Sequence, residues 1–243
     1  MERFVYLCVM LLLCPLTTAA RAQQVTVDHV FVFVERNAPE ADALRSAGFF
    51  VAPDTSHHTG QGTASICVML RNAYVELIWV EVPEDFATVG FGMPERQMAA
   101  RGSPFGVGLR RGGDGADLPF ETAPYRPDWI GALPPIEMAE WSGAVEQPLI
   151  FVVPDPMRWD VILPQVPQFE PYTEHERGVR ELSAVRLEGP GPLGQSPAAR
   201  ALAQLGVVEF GATDVHVMHL TFDAGSRGEI IDLRPVLPIV LHF

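Results

Sequence analysis

The chain has 243 residues, with 17 basic and 30 acidic side chains, a formal charge of −13 and three cysteines. So negative a balance disfavours nucleic-acid binding, which rests on neutralising phosphates. Every basic residue is arginine, which excludes Schiff-base chemistry and a phosphate-loop lysine.

Arg3 precedes an almost wholly apolar run from Phe4 to Leu16, and Ala20-Arg21-Ala22 places small residues ahead of Gln23. This is the pattern of a cleaved signal peptide over residues 1–22, and the run is shorter than the ~18 residues usually needed to span a bilayer. The expected product is an exported protein, periplasmic or secreted, without a stable membrane anchor after cleavage. Cys8 and Cys14 fall in that segment, leaving Cys67 as a lone, buried small hydrophobe.

Val25 to Val34 is β-branched and aromatic throughout and predicts a strand covered on both faces. A short helix follows over Ala41 to Gly48, with Asn37 as its cap and Glu40 as capping-box partner. Gly48 stands where a left-handed C-terminal residue is needed. Further strands are predicted over Phe49 to Ala52, Thr63 to Leu70 and Tyr74 to Val82, the last two joined by the hairpin Arg71-Asn72-Ala73. His57 to Gly62 reads as a turn-rich connection. From residue 84 to residue 177 proline and glycine crowd the chain. That predicts an irregular insert with short strands such as Gly106 to Arg110 and Leu149 to Val153. Trp129, Trp141 and Trp159 lie here, either as a small core or as the roof of a ligand pocket. Over 178–243 the pattern of the first unit returns, with strands at Arg180 to Leu187, Val207 to Phe210, Val215 to Phe222 and Glu229 to Leu233.

The return is sharpest in the helices. Ala41-Asp-Ala-Leu-Arg-Ser-Ala-Gly48 and Ala199-Arg-Ala-Leu-Ala-Gln-Leu-Gly206 share spacing and terminal glycine, and Ser196-Pro197 caps the second. The expected fold is α+β, two strand-helix-strand-strand-strand modules (24–83 and 178–243) packed together around a site.

His29 and Glu76 each interrupt an apolar strand, and each is costly to bury without a partner. On neighbouring strands they form either a divalent-metal or acid-base pair, or a hydrogen bond inside a core. His216 and His219 share one strand at odd spacing, so at most one points inward, with His219 the candidate. Arg186 and Arg234 are placed either to bind an anionic substrate or to make surface ion pairs.

Asp28-His29-Val30, Gly60-Gln61-Gly62-Thr63 and Tyr74-Val75-Glu76-Leu77 resemble the vicinal oxygen chelate superfamily, specifically its glyoxalase-like domains. The resemblance implies two βαβββ modules curled into a cup-shaped mixed sheet over residues 23–243, with a metal held from the first and fourth strand of each module. Residue by residue it gives His29 and Glu76 from the first module and Asp232 from the second, where Ala184 stands in the place of a second histidine. On that reading Zn, Mn or Fe binds at His29, Glu76 and Asp232, with Glu76 and Asp232 catalytic. His219, Arg234 and Gln61 contact a small oxygenated substrate. The competing expectation is a metal-free protein that binds or sequesters a small molecule in the same cup.

Overall fold

In a computed structural model, residues 25–113, 117–141, 143–191 and 193–243 are described. The signal peptide expected over residues 1–22 lies outside them. The first unit contains β1 (Val25–Phe33), α1 (Ala41–Ser46), β2 (Ser56–His58), β3 (Thr63–Met69) and β4 (Tyr74–Val80). The short helices α2 (Pro83–Phe86) and α3 (Met93–Met98) lead into β5 (Phe105–Arg111), β6 (Thr122–Tyr125), β7 (Ile136–Ala139) and β8 (Leu149–Val152). Next come α4 (Trp159–Gln165), β9 (Leu182–Gly189), α5 (Pro197–Gln204), β10 (Glu209–Ala212), β11 (Val217–Phe222), β12 (Ile230–Asp232) and β13 (Ile239–His242). Among the described residues, no helix is long and apolar enough to cross a membrane.

These strands form two sheets. The first is a curled mixed sheet in the order β2-β3-β4-β1-β5-β8-β7-β6. At its centre β1 and β5 run antiparallel, and each is flanked by a parallel partner, β4 on one side and β8 on the other. The cup is therefore closed by β5 to β8, from the segment expected to be an irregular insert. Residues 178–243, expected to supply that second half, build a separate sheet in the order β10-β9-β11-β13-β12. Strands around the two matching helices thus take different orders: β1 has β4 and β5 as neighbours, whereas β9 has β10 and β11. What α1 and α5 share is a packing position, since both bury alanine and leucine in one core.

That core lies between the sheets. Val30, Val32, Val75 and Leu77 from the first sheet meet Val185, Leu187, Leu220 and Leu241 from the second. A smaller apolar cluster, including Phe31, Ile78, Met138 and Phe151, lines the inner face of the cup.

Local signals explain most boundaries. Ser196 accepts a hydrogen bond from the Ala199 amide at 3.1 Å, and Gly48 and Gly206 adopt φ of 85° and 67°. The Asn37 cap is corrected. Asn37 itself sits at φ 66°, and the Glu40 carboxylate instead accepts the Glu35 amide at 2.9 Å. The strand expected at Phe49 to Ala52 is replaced by irregular chain, and the short strand falls later, at Ser56–His58.

Candidate functional site

A bulge at Asp28 aims the first site residue. Val27 pairs with Leu109 and His29 with Gly108, so Asp28 is the extra residue of β1. Before it, Val25 and Val27 face the shared core; after it Val30 and Val32 do, which turns His29 and Phe31 into the cup. Gly106 and Gly108 on β5 leave room for those two rings, since a Cβ on either would collide with Phe31 or His29 respectively.

His29 is 5% exposed and stacks on Tyr74 with ring centroids 4.3 Å apart. Its Nδ1 lies 2.9 Å from the fully buried Asp28 carboxylate, which can only accept, so the ring donates from Nδ1 and leaves Nε2 unprotonated when neutral. The other Asp28 oxygen accepts the Trp159 amide at 2.8 Å and ties α4 to β1.

Glu76 on β4 lines the same cavity as His29. Its cross-strand neighbours are Phe31 on β1 and Cys67 on β3, and neither offers a strong donor. Cys67 is part of the cavity wall rather than the core; burial and the Glu76 carboxylate push its thiol well above the ordinary range.

His58, in the segment read as a turn-rich connection, faces the cavity on β2, its Nε2 3.7 Å from Glu76 Oε1. Its orientation follows from a chain of hydrogen bonds. Trp129 Nε1, a donor only, gives to Gln61 Oε1 at 3.2 Å, and the Tyr125 hydroxyl gives to the same oxygen at 3.1 Å. Gln61 must then present its amide nitrogen to Thr63 Oγ1, 2.8 Å away. The Thr63 hydroxyl is buried, and among the described residues His58 Nδ1 at 2.8 Å is the acceptor left for its proton. Neutral His58 therefore carries its proton on Nε2 and turns it toward Glu76. Burial holds this imidazole below the ordinary histidine value, against the opposing pull of Glu76.

The cavity enclosed has a volume of about 350 Å³. Met138, Leu149, Phe151 and Val153 from the second half of the cup form one wall, and Trp129 and Trp159 complete the lining. Both tryptophans therefore take the pocket role, while Trp141 does not line the cavity. Gln61 lines it as expected, although its amide is occupied by the network just described.

The remaining expected residues are elsewhere. Asp232 lies on β12 of the second sheet, and its neighbour Ile231 packs on the shared core, so the carboxylate points away from the cup. Arg234 holds it in a bidentate pair of 2.5 and 2.8 Å and lowers its carboxyl to about 2. Arg234 is thereby an exposed ion-pair partner and not a cavity residue. His219 sits on the same outer face, with Nδ1 3.0 Å from His242 Nε2. The expected ligand set His29, Glu76 and Asp232 is thus not assembled, because the hydrophobic core between the two sheets separates Asp232 from the other two. Where the second half of the cup would supply donors, it presents Gly106, Gly108, Leu149 and Phe151. Among the described residues, no group of three or more histidine, cysteine or acidic side chains is placed to hold a metal ion. The donor set does not fit one.

A pseudo-symmetric mixed sheet curled around an apolar cavity, with its polar groups on the first, second and fourth strands, defines a glyoxalase-type cup. Residues 27–116 match the family model of the glyoxalase-like domain, a family of the vicinal oxygen chelate superfamily. The match runs from β1 through β5. Among solved structures, one described as a hypothetical protein from Staphylococcus aureus is similar, with a TM-score of 0.53 and 9% identity over 90% of this chain and 98% of that one. At that identity the likeness concerns the fold alone. No curated protein matches the chain.

Proposed function

We propose that this protein binds a small organic molecule in the cup, burying its apolar body against Phe31, Met138, Leu149 and Phe151 and holding its polar end at His29, His58 and Glu76, without a metal ion. One observation carries the reading. A cavity of about 350 Å³ is lined mainly by apolar and aromatic side chains, and its histidines and its one carboxylate all come from β1, β2 and β4. That is the make-up of a ligand site: an apolar enclosure with a few convergent polar groups. His29 and Glu76 are then hydrogen-bonding or proton-transfer groups, His29 acting through Nε2 because Nδ1 is committed to Asp28. The site is expected to operate outside the cytoplasm, on the strength of the signal-peptide pattern.

Ligand-observed NMR with a small aromatic fragment library tests this on the full chain. Fragments should bind the native protein and lose binding to a Leu149→Trp variant whose cavity is filled. Equal binding to both proteins would overturn the reading.

A further inference from the structure

Glu76 is only 8% exposed, and that exposure is toward the cavity. Its flanks along and across the strands are Tyr74, Ile78, Phe31 and Cys67. Among the described residues no donor lies within hydrogen-bond distance of its carboxylate; His58 Nε2, at 3.7 Å, is beyond that reach. Among the described residues no arginine lines the cavity, and the chain has no lysine. An ionised carboxylate in such surroundings is costly unless a counter-ion joins it. Among the described residues no arginine or lysine supplies one, while Phe31, Tyr74 and Trp129 offer aromatic surface in the same cavity, which favours a cation and disfavours an anion.

We propose that the ligand of the cup is a monocation, a protonated amine carrying an apolar or aromatic body, with Glu76 as its counter-ion. The chain from Trp129 through Gln61 and Thr63 to His58 acts with it. By fixing the His58 proton on Nε2, it turns a donor and not a lone pair toward Glu76. Gln61 and Thr63 are positioning residues in this scheme. The proposal rests on the reading of the cup as a small-molecule site and adds the charge of what enters it.

Three probes of nearly equal size separate the possibilities: 2-phenylethylamine, 2-phenylethanol and phenylacetate, titrated calorimetrically into the full chain at pH 7.5. The expected order is amine, then alcohol at least about tenfold weaker, then phenylacetate without measurable binding. In Glu76→Gln the amine should fall to the affinity of the alcohol, while the alcohol is retained. The comparison of the three probes on the native protein stands even if that variant does not fold. Alcohol binding as tight as amine, or phenylacetate binding best, overturns the cation assignment and leaves the small-molecule reading intact. If none of the three binds, and the fragments of the previous test also fail, both fall; if those fragments bind where the amine does not, the cation assignment alone falls.

Discussion

Gly108 lies opposite His29 across the β1–β5 pair, and a methyl carbon added to it would come 2.5 Å from the imidazole Cε1. Gly108 does not have a positive φ, so the demand for glycine is one of space and not of backbone conformation. Gly108→Ala should therefore overpack the cup, shift the His29 ring off Tyr74 and cost about 1–3 kcal/mol. Urea unfolding measures the cost, and the His29 ring resonances report the shift. Gly90→Ala is the control, since an added Cβ there meets nothing within 4 Å. Its stability should stay within about 0.5 kcal/mol of the parent.

Asp28 serves two donors at once, the His29 ring and the Trp159 amide. Asp28→Ala leaves both buried and unpaired, and the expected loss is about 2 kcal/mol or more. Because Trp159 begins α4, which closes one side of the cavity, its fluorescence should shift to the red in the same variant. Unchanged stability and emission would show that the contacts are dispensable.

Elemental analysis of purified protein, before and after incubation with Zn, Mn or Fe, should find no near-stoichiometric metal. On the proposed metal-free reading, a chelator should move the melting temperature by less than about 1 °C. Near-stoichiometric metal, lost in both His29→Ala and Glu76→Gln, would reinstate coordination by that pair.

His175 gives the fold a pH dependence with a definite sign. Its Nδ1 accepts the Phe50 amide at 3.0 Å and its Nε2 donates to the Met69 carbonyl at 2.9 Å, an arrangement only the neutral ring can make. Burial holds its value below the ordinary histidine one. As pH falls below about 6.5 the unfolded chain takes up this proton before the folded one does, so folding stability is full above that pH and declines toward pH 5. His58, His216 and His242 are lowered by burial too and add in the same direction. Urea unfolding at pH 7.5 and 5.5 checks this: His175→Gln should start less stable and lose less on acidification. Greater stability at pH 5.5 would contradict the assignment.

The signal-peptide pattern predicts a mature chain beginning at or near Gln23. N-terminal sequencing of exported material tests it, and a chain retaining Met1 in the membrane fraction would refute it.

The sequence was most legible where the determinant is local. The hairpin at Arg71 to Ala73, the left-handed glycines and the Ser196 cap follow from residue type and spacing, and β1, β3 and β4 follow from their apolar runs. The repeated helices were real as well, yet they mark two positions on one shared core and not two halves of one cup. The second half of the cup was hidden because β6 to β8 are short, Pro124 lies in β6, and among the described residues no helix stands between β5 and β6 to complete the motif. No residue type announces the bulge at Asp28, where one extra residue exchanges the faces of β1. His58 was missed for a related reason: its burial depends on Trp129 and Tyr125, more than sixty residues away.

Every residue lining the cavity falls between His29 and Phe169, and β9 to β13 contribute none. A chain cut after residue 177 would accordingly keep every group able to touch a ligand and still lose the site. The outer surface of the cup would be left as bare hydrocarbon, with Val30, Val32, Val75 and Leu77 open to water and to one another's copies. Recognition and solubility are thus divided between separate stretches of one polypeptide, and damage to the tail that spares the cup should surface as aggregation before any change in what the cup can hold.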